Sequence, residues 1–297
     1  MSSRIRIVVG FDGSVDSWAA ARFAVVEAGV GGGLVRLVHS LLDRIAYATL
    51  LPPELTGDCD AEAVRLLDLA RAELLRANPG VDVQSMIVQR APGAALVRVS
   101  RSADLIVLGR HGHGRAPAGG RFQRVHIGAV ATHVLAYAAC PVVVVGTVDE
   151  DALRRPVVLG LDAAAPSSPA ISYAFEAAQR HGTSIRVCYI SRPAGRTDDP
   201  HADADARLQL SQALAGWRAT FADVPVALDV LHGVDPAARL LDAAADASLV
   251  VVGARDRSGA PHVGFGAVPE TLARNAVCLV AVVRTQRQAV TRPAVIG

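Results

Sequence analysis

Ala103-Asp-Leu-Ile-Val-Leu-Gly109 holds four consecutive large apolar residues between an aspartate and a glycine. The run lacks the in–out alternation of a strand with one wet face. It therefore reads as a strand buried on both sides, as in a parallel sheet covered by helices. The reading repeats 144 residues later in Ala247-Ser-Leu-Val-Val-Val-Gly253. Toward the C-terminus, Cys140-Pro-Val-Val-Val-Val145 is matched 138 residues on by Cys278-Leu-Val-Ala-Val-Val283. Toward the N-terminus, Ile5-Arg-Ile-Val-Val-Gly-Phe-Asp12 is matched by Pro156-Val-Val-Leu-Gly-Leu-Asp162, with the two aspartates 150 residues apart. The chain is a duplication. From the loop after Gly109 onward the copies stay in register once the first copy is allowed about six extra residues there, in a loop where insertions are tolerated.

Between the apolar runs lie amphipathic, alanine-rich stretches of helical period. The first copy reads as strands 4–12, 34–40, 83–89, 104–109 and 141–146, separated by helices 16–29, 60–77, 92–102 and 128–138. The second reads as strands 156–162, 185–190, 226–231, 248–253 and 278–284, with helices 168–181, 203–221, 235–246 and 267–276. Strands that alternate with helices imply right-handed crossovers and a doubly wound parallel sheet. The expected architecture is α/β, two five-stranded doubly wound sheets in tandem. Module one covers 1–147, module two covers 155–285, a short charged linker joins them, and 286–297 is a flexible tail. The last strand of each copy is apolar and would be a bare sheet edge, so the two modules are expected to pair along it, with a homodimer beyond that.

Composition removes several classes. With 51% hydrophobic and 20% charged residues the chain can bury a large core, and a formal net charge of +2 gives no ground for a nucleic-acid partner. All 30 basic residues are arginine. A phosphate loop that relies on a lysine ammonium and a Schiff-base mechanism are both excluded. Cys59, Cys140, Cys188 and Cys278 form no C-x-x-C pair. No run approaches the ~18 apolar residues of a membrane span, and the first residues enter a strand without a signal-peptide shape. The expected compartment is the cytoplasm, with no membrane partner.

In a doubly wound sheet, ligands bind beyond the carboxyl ends of the strands. Asp12 and Asp162 end the first strand of each copy. A carboxylate there can accept from an adenine amino group or a ribose hydroxyl, or it can serve as a turn or helix-cap residue. The loop after the fourth strand of module one is rich in glycine, at Gly109, Gly112, Gly114 and Gly128. Glycines let backbone N–H groups approach phosphate oxygens, and the helix that follows adds its dipole. The same loop carries Arg110, Arg115, Arg121 and Arg124 among His111, His113 and His126. It reads either as an arginine-rich lid for an anion or as a solvated surface loop.

These segments together resemble the universal stress protein family in its tandem, two-module form. The resemblance rests on VVGFDGS at 8–14, DLIVLGRHGHG at 104–114, IGAV at 127–130 and CPVVVV at 140–145, and it covers nearly the whole chain. It implies a stress-response regulator that binds ATP, with Mg, rather than an enzyme, with at most weak ATP hydrolysis. The family's ATP-binding branch carries Gly-x-x-Gly, nine residues, then Gly-Ser or Gly-Thr. The nucleotide-binding residues implied in module one are Asp12, Ser40, Gly109, Gly112, Gly114, Gly128 and Ala129. Their degenerate equivalents in module two are Asp162, Ile190, Gly253, Asp256, Gly266 and Ala267. Module one departs from the pattern in its fifteen-residue spacer between Gly112 and Gly128, and Ala129 stands at the hydroxyl position. Module two keeps the nine-residue spacer but has Asp256 for the second glycine and Ala267 for the hydroxyl. A carboxylate facing a polyphosphate is repulsive, so nucleotide is expected mainly in module one. The alternative is a stress protein that binds no nucleotide and acts only through contacts with a regulatory protein partner.

Overall fold

The computed structural model describes residues 4–30, 32–41, 59–113, 127–146, 150–162, 165–191, 200–254 and 266–284. Module one runs β1 (Arg6–Gly10), α1 (Val15–Gly29), β2 (Leu34–Ser40), α2 (Cys59–Ala77), β3 (Asp82–Val88), α3 (Pro92–Val99), β4 (Leu105–Gly109), α4 (Ala129–Tyr137) and β5 (Val142–Val145). A 3-10 turn at Glu150–Arg154 leads into module two. There follow β6 (Val157–Leu161), α5 (Ser168–His181), β7 (Ile185–Ser191), α6 (Pro200–Thr220), β8 (Val226–His232), α7 (Pro236–Ala244), β9 (Leu249–Ala254), α8 (Ala267–Asn275) and β10 (Leu279–Arg284).

The unalternated runs that suggested two-sided burial are indeed covered on both faces. Leu105, Ile106, Val107 and Leu108 of β4 are all buried, as are Val142 to Val145 of β5. Their side chains divide by parity into two cores. Val107, Val143 and Val145 join the core beneath α1, α2, α5 and α6, while Ile106, Leu108, Val142 and Val144 join the core beneath α3, α4, α7 and α8. Both cores cross from one module to the other without a break.

The reason lies at β5 and β10. Each five-stranded parallel sheet ends on its last strand, and these two edges pair antiparallel, with Val144 opposite Val280 and Val142 opposite Val282. The strand order is β3-β2-β1-β4-β5-β10-β9-β6-β7-β8, a single ten-stranded sheet. The apolar edges expected to need cover thus cover one another inside the chain. Cys140, Cys188 and Cys278 are buried, and burial pushes their thiols up to about 12, about 11 and about 11. Thiols so high hold almost no thiolate at neutral pH and act as packing. Among the described residues no helix is long and apolar enough to cross a membrane.

Candidate functional site

In module one the strand order reverses between β1 and β4, which pair in parallel from Ile7↔Leu105 to Gly10↔Leu108. A crevice opens where crossovers leave such a pair in opposite directions. Both loops at that crevice carry the residues singled out in the sequence. After β1 the chain turns through Gly13 at φ +86°, a conformation that side chains rarely adopt. Asp12 closes this turn, its Oδ1 accepting from the Ser14 N–H at 3.0 Å. Ser14 then caps α1, its Oγ accepting from the Ser17 N–H at 3.3 Å.

The loop after β4 folds back onto that cap. The backbone N–H and ring Nδ1 of His111 lie 2.9 and 3.0 Å from Asp16 Oδ2. The His113 N–H donates to Asp12 Oδ2 at 2.8 Å. A Cβ on Gly112 would fall 2.5 Å from that same oxygen, so the glycine lets the carboxylate lie against the loop backbone. The Gly128 N–H donates to the Arg110 carbonyl at 2.9 Å, and a Cβ on Gly128 would stand 4.0 Å from the Gly112 nitrogen. Asp12, Gly112 and Gly128 therefore meet at one place, with Gly109 at its base. Burial alone would raise the Asp12 pKa, but hydrogen bonds from Ser14, His113 and Ser17 outweigh it and hold the carboxyl below its ordinary value. Asp12 is an anion at neutral pH.

Beside this anion begins α4. Its N-cap is Gly128, which offers no side chain to the helix. The first-turn amides of Ala129, Val130 and Ala131 have no intrahelical acceptor, and the helix dipole adds positive potential there. The crevice thus sets a fixed carboxylate next to an uncapped helix start, an arrangement that suits a ligand with donors at one end and an anion at the other.

The remaining candidates fall in several places. Ser40 ends β2, its Oγ donating to the Arg90 carbonyl at 2.6 Å, and Ala129 opens α4. Gly114, Arg115, Arg121, Arg124 and His126 lie outside the described residues. Arg110 corrects the lid reading. Its side chain turns away from the crevice into the seam between modules, where Nη2 donates to the Ala276 carbonyl at 2.6 Å. Burial lowers its pKa, partly offset by Asp16. In module two, Asp162 follows β6, its carbonyl accepting from Ala165 at 3.2 Å. Ile190 packs against the second core, and Gly253 ends its run beside Ser167. Gly266 caps α8 at φ +101° ahead of Ala267, and Asp256 lies outside the described residues. Among the described residues no cluster of three metal-ligating side chains forms. An open depression of about 580 Å³ lined by Arg90, Ala94, Val97, Arg98 and Arg101 shares no residue with this site.

Ser14 and Asp16 escape sequence reasoning. Their signal is the hydroxyl cap and acidic first turn of α1, which mark any helix start and say nothing of the loop at 109–113.

The model of the universal stress protein family matches this chain twice, at residues 4–146 and 154–284. A universal stress protein of Mycolicibacterium smegmatis is 33% identical over 291 residues, covering 94% of this chain and 96% of that protein. One from Mycobacterium tuberculosis is 32% identical over 300 residues, covering 95% and 97%. Among solved structures, a universal stress protein from Archaeoglobus fulgidus superposes with a TM-score of 0.71 at 17% identity, covering 95% of this chain and 99% of that one.

Proposed function

The chain belongs to the universal stress protein family, and from that premise we propose that its first module is an adenine-nucleotide sensor. The observation that carries the reading is the meeting of Asp12, Gly112 and Gly128 over Gly109 at the β1/β4 reversal. The ligand is ATP, with Mg brought on its phosphates. Asp12 accepts from the adenosine part with the lone pairs that Ser14 and His113 leave open. The Gly112 amide and the first turn of α4 receive the phosphates. Module two, with Asp256 and without a hydroxyl at Ala267, binds less well. Occupancy regulates contacts with a protein partner or a second copy of the chain, and no chemistry is required.

One feature favours the second reading, a protein that works by contact alone. The His111, His113 and Gly128 amides already have acceptors within the protein, so they reach a phosphate only if the loop gives them up.

The test compares wild type with Gly128→Asp. Gly128 sits at φ −59° and ψ 148°, and an added Cβ would meet nothing nearer than 3.4 Å. The new carboxylate would cap α4, which stabilises a helix by only about a few tenths of a kcal/mol relative to glycine, while standing where the phosphates must lie. Wild type is expected to co-purify with nucleotide on mass spectrometry and to gain about 2.7 kcal/mol at ATP 100 times Kd. Gly128→Asp is expected to keep its basal stability and lose the gain. Wild type that shows neither nucleotide nor stabilisation hands the case to the contact reading.

A further inference from the structure

The helix at the candidate site is held at its far end by the other module. α4 runs from Ala129 to Tyr137, nine residues, so its ends are about 13 Å apart. At its C-terminus the Ala138 N–H donates to Val134, but the next amide, Ala139, turns away to Ser100 Oγ at 2.9 Å. The Leu135 carbonyl is thereby left without an intrahelical donor. Arg284, at the end of β10 in module two, supplies one: its Nη2 donates to the Leu135 carbonyl at 2.7 Å.

A contact in the opposite direction reaches the C-terminal end of the matching helix of module two, at a different carbonyl. α8 is flanked by the N-cap Gly266 and the C-cap Ala276, whose amide donates to Leu272 and whose carbonyl has no partner within the helix. Arg110 of module one fills that place, with its guanidinium over Gly146, where a Cβ would lie 3.4 Å from Cζ. Arg110 also belongs to the site loop, since its carbonyl accepts from Gly128 and its amide donates to Val145. Both guanidinium groups sit at helix C-termini, where the dipole favours a cation.

We infer that the two modules cross-brace one another's site helices, and that Arg284 is a positioning residue for the phosphate end of the site in module one. A nine-residue helix is too short to bend appreciably, so the end held by Arg284 fixes the direction in which the amides of Ala129 to Ala131 point. Arg110 carries the link the other way, from the glycine loop of module one to α8. This rests on the nucleotide reading for its consequence, and on the two hydrogen bonds for its existence.

The experiment uses the full chain with Arg284→Ala and Arg284→Lys, titrated calorimetrically with ATP and with adenosine. Arg284→Ala is expected to weaken ATP about tenfold and adenosine by less than about twofold, because only the phosphates depend on α4. Lysine, which keeps the charge and a donor, is expected to restore most of the loss. A purely structural role would weaken both ligands alike, and that result overturns the inference, as does no change in either. Hydrogen exchange provides a readout that needs no ligand. Arg284→Ala should speed exchange in 132–139 and leave α8 unchanged, and Arg110→Ala should do the opposite. Unchanged exchange in both helices removes the braces even if ATP binds. Wild type that binds neither ligand defeats the nucleotide reading itself, and with it the positioning role, while exchange still reports on the braces.

Discussion

Glu27→Ala is expected to lower the unfolding free energy by about 3–5 kcal/mol, the cost of removing one member of a buried ionic group. Glu27 is only 2% exposed and lies on α1 of module one. Its partners belong to α5 of module two. Arg180 Nε donates to Oε2 at 2.9 Å, and His181 Nε2 is hydrogen-bonded to Oε1. Truncation leaves the Arg180 guanidinium in the seam with only the half-exposed Glu176, 3.9 Å away, as a carboxylate partner, and it removes a buried anion near the buried Tyr173. Urea unfolding should show a lower midpoint with little change in slope. A loss under about 1 kcal/mol would mean that water reaches the cluster and that the pair acts as a surface salt bridge.

The pH dependence follows with a definite sign. Burial alone would raise the Glu27 pKa, but the His181 hydrogen bond and the charges of Arg180 and His181 outweigh it, so the folded value lies below the ordinary 4.5. A lowered carboxyl contributes stability that is fully present above its unfolded value and is lost as pH falls through the folded one. The difference between wild type and Glu27→Gln should therefore shrink as acid is added below 4.5. A difference that grows on acidification would show that the carboxylate is not what holds the seam.

Neither Glu27 nor Arg110 could be placed from the sequence, and for the same reason. A glutamate in an alanine-rich helix reads as solvent-facing, because acidic residues are almost never buried unless paired. Its pairs stand 153 and 154 residues away, in a module whose docking is fixed only once β5 and β10 meet. An arginine next to a glycine loop reads as an anion clamp until it is known that its side chain passes over Gly146 to a carbonyl 166 residues on. The strands were legible because burial on both faces writes itself into a short stretch, as in Leu105 to Leu108 and Leu249 to Val252. The meeting of Asp12 with the glycine loop followed from strand order, since any sheet that reverses between β1 and β4 brings those two loops together. What strand order does not reveal is which amides the protein keeps for itself.

That last point decides what Gly109 is for, and Gly109→Ala paired with Gly253→Ala tests it. The two glycines hold equivalent places, Gly109 as the last residue of β4 and Gly253 as the last but one of β9, so a role in phosphate binding alone would make either alanine harmless to folding. Their surroundings differ. On Gly109 a Cβ would stand 2.6 Å from the Asp16 carbonyl carbon, 2.7 Å from Asp16 Cβ and 2.8 Å from the Ser17 nitrogen. These belong to the first turn of α1, which the Ser14 cap and the His111 bonds pin to the sheet. Backbone on one side and a central strand on the other leave no room to yield, and the expected loss is about 3 kcal/mol, the upper part of the range for overpacking. On Gly253 the nearest atoms are Ser167 Cβ at 3.1 Å and Oγ at 3.3 Å, and that serine makes no capping bond to α5. A side chain can move a few tenths of an ångström, and alanine also reduces the freedom of the unfolded chain, so Gly253→Ala should stay within about 1 kcal/mol of wild type. Chemical denaturation of the two variants decides the matter. Equal costs would show that the first turn of α1 is not held against β4. Unequal costs make Gly109 the hinge of the site's packing: displacing α1 carries Asp16 away from His111 and frees the loop that Gly112 and His113 build around Asp12. Gly109→Ala should then lose nucleotide stabilisation together with fold stability, whereas Gly128→Asp should lose it alone.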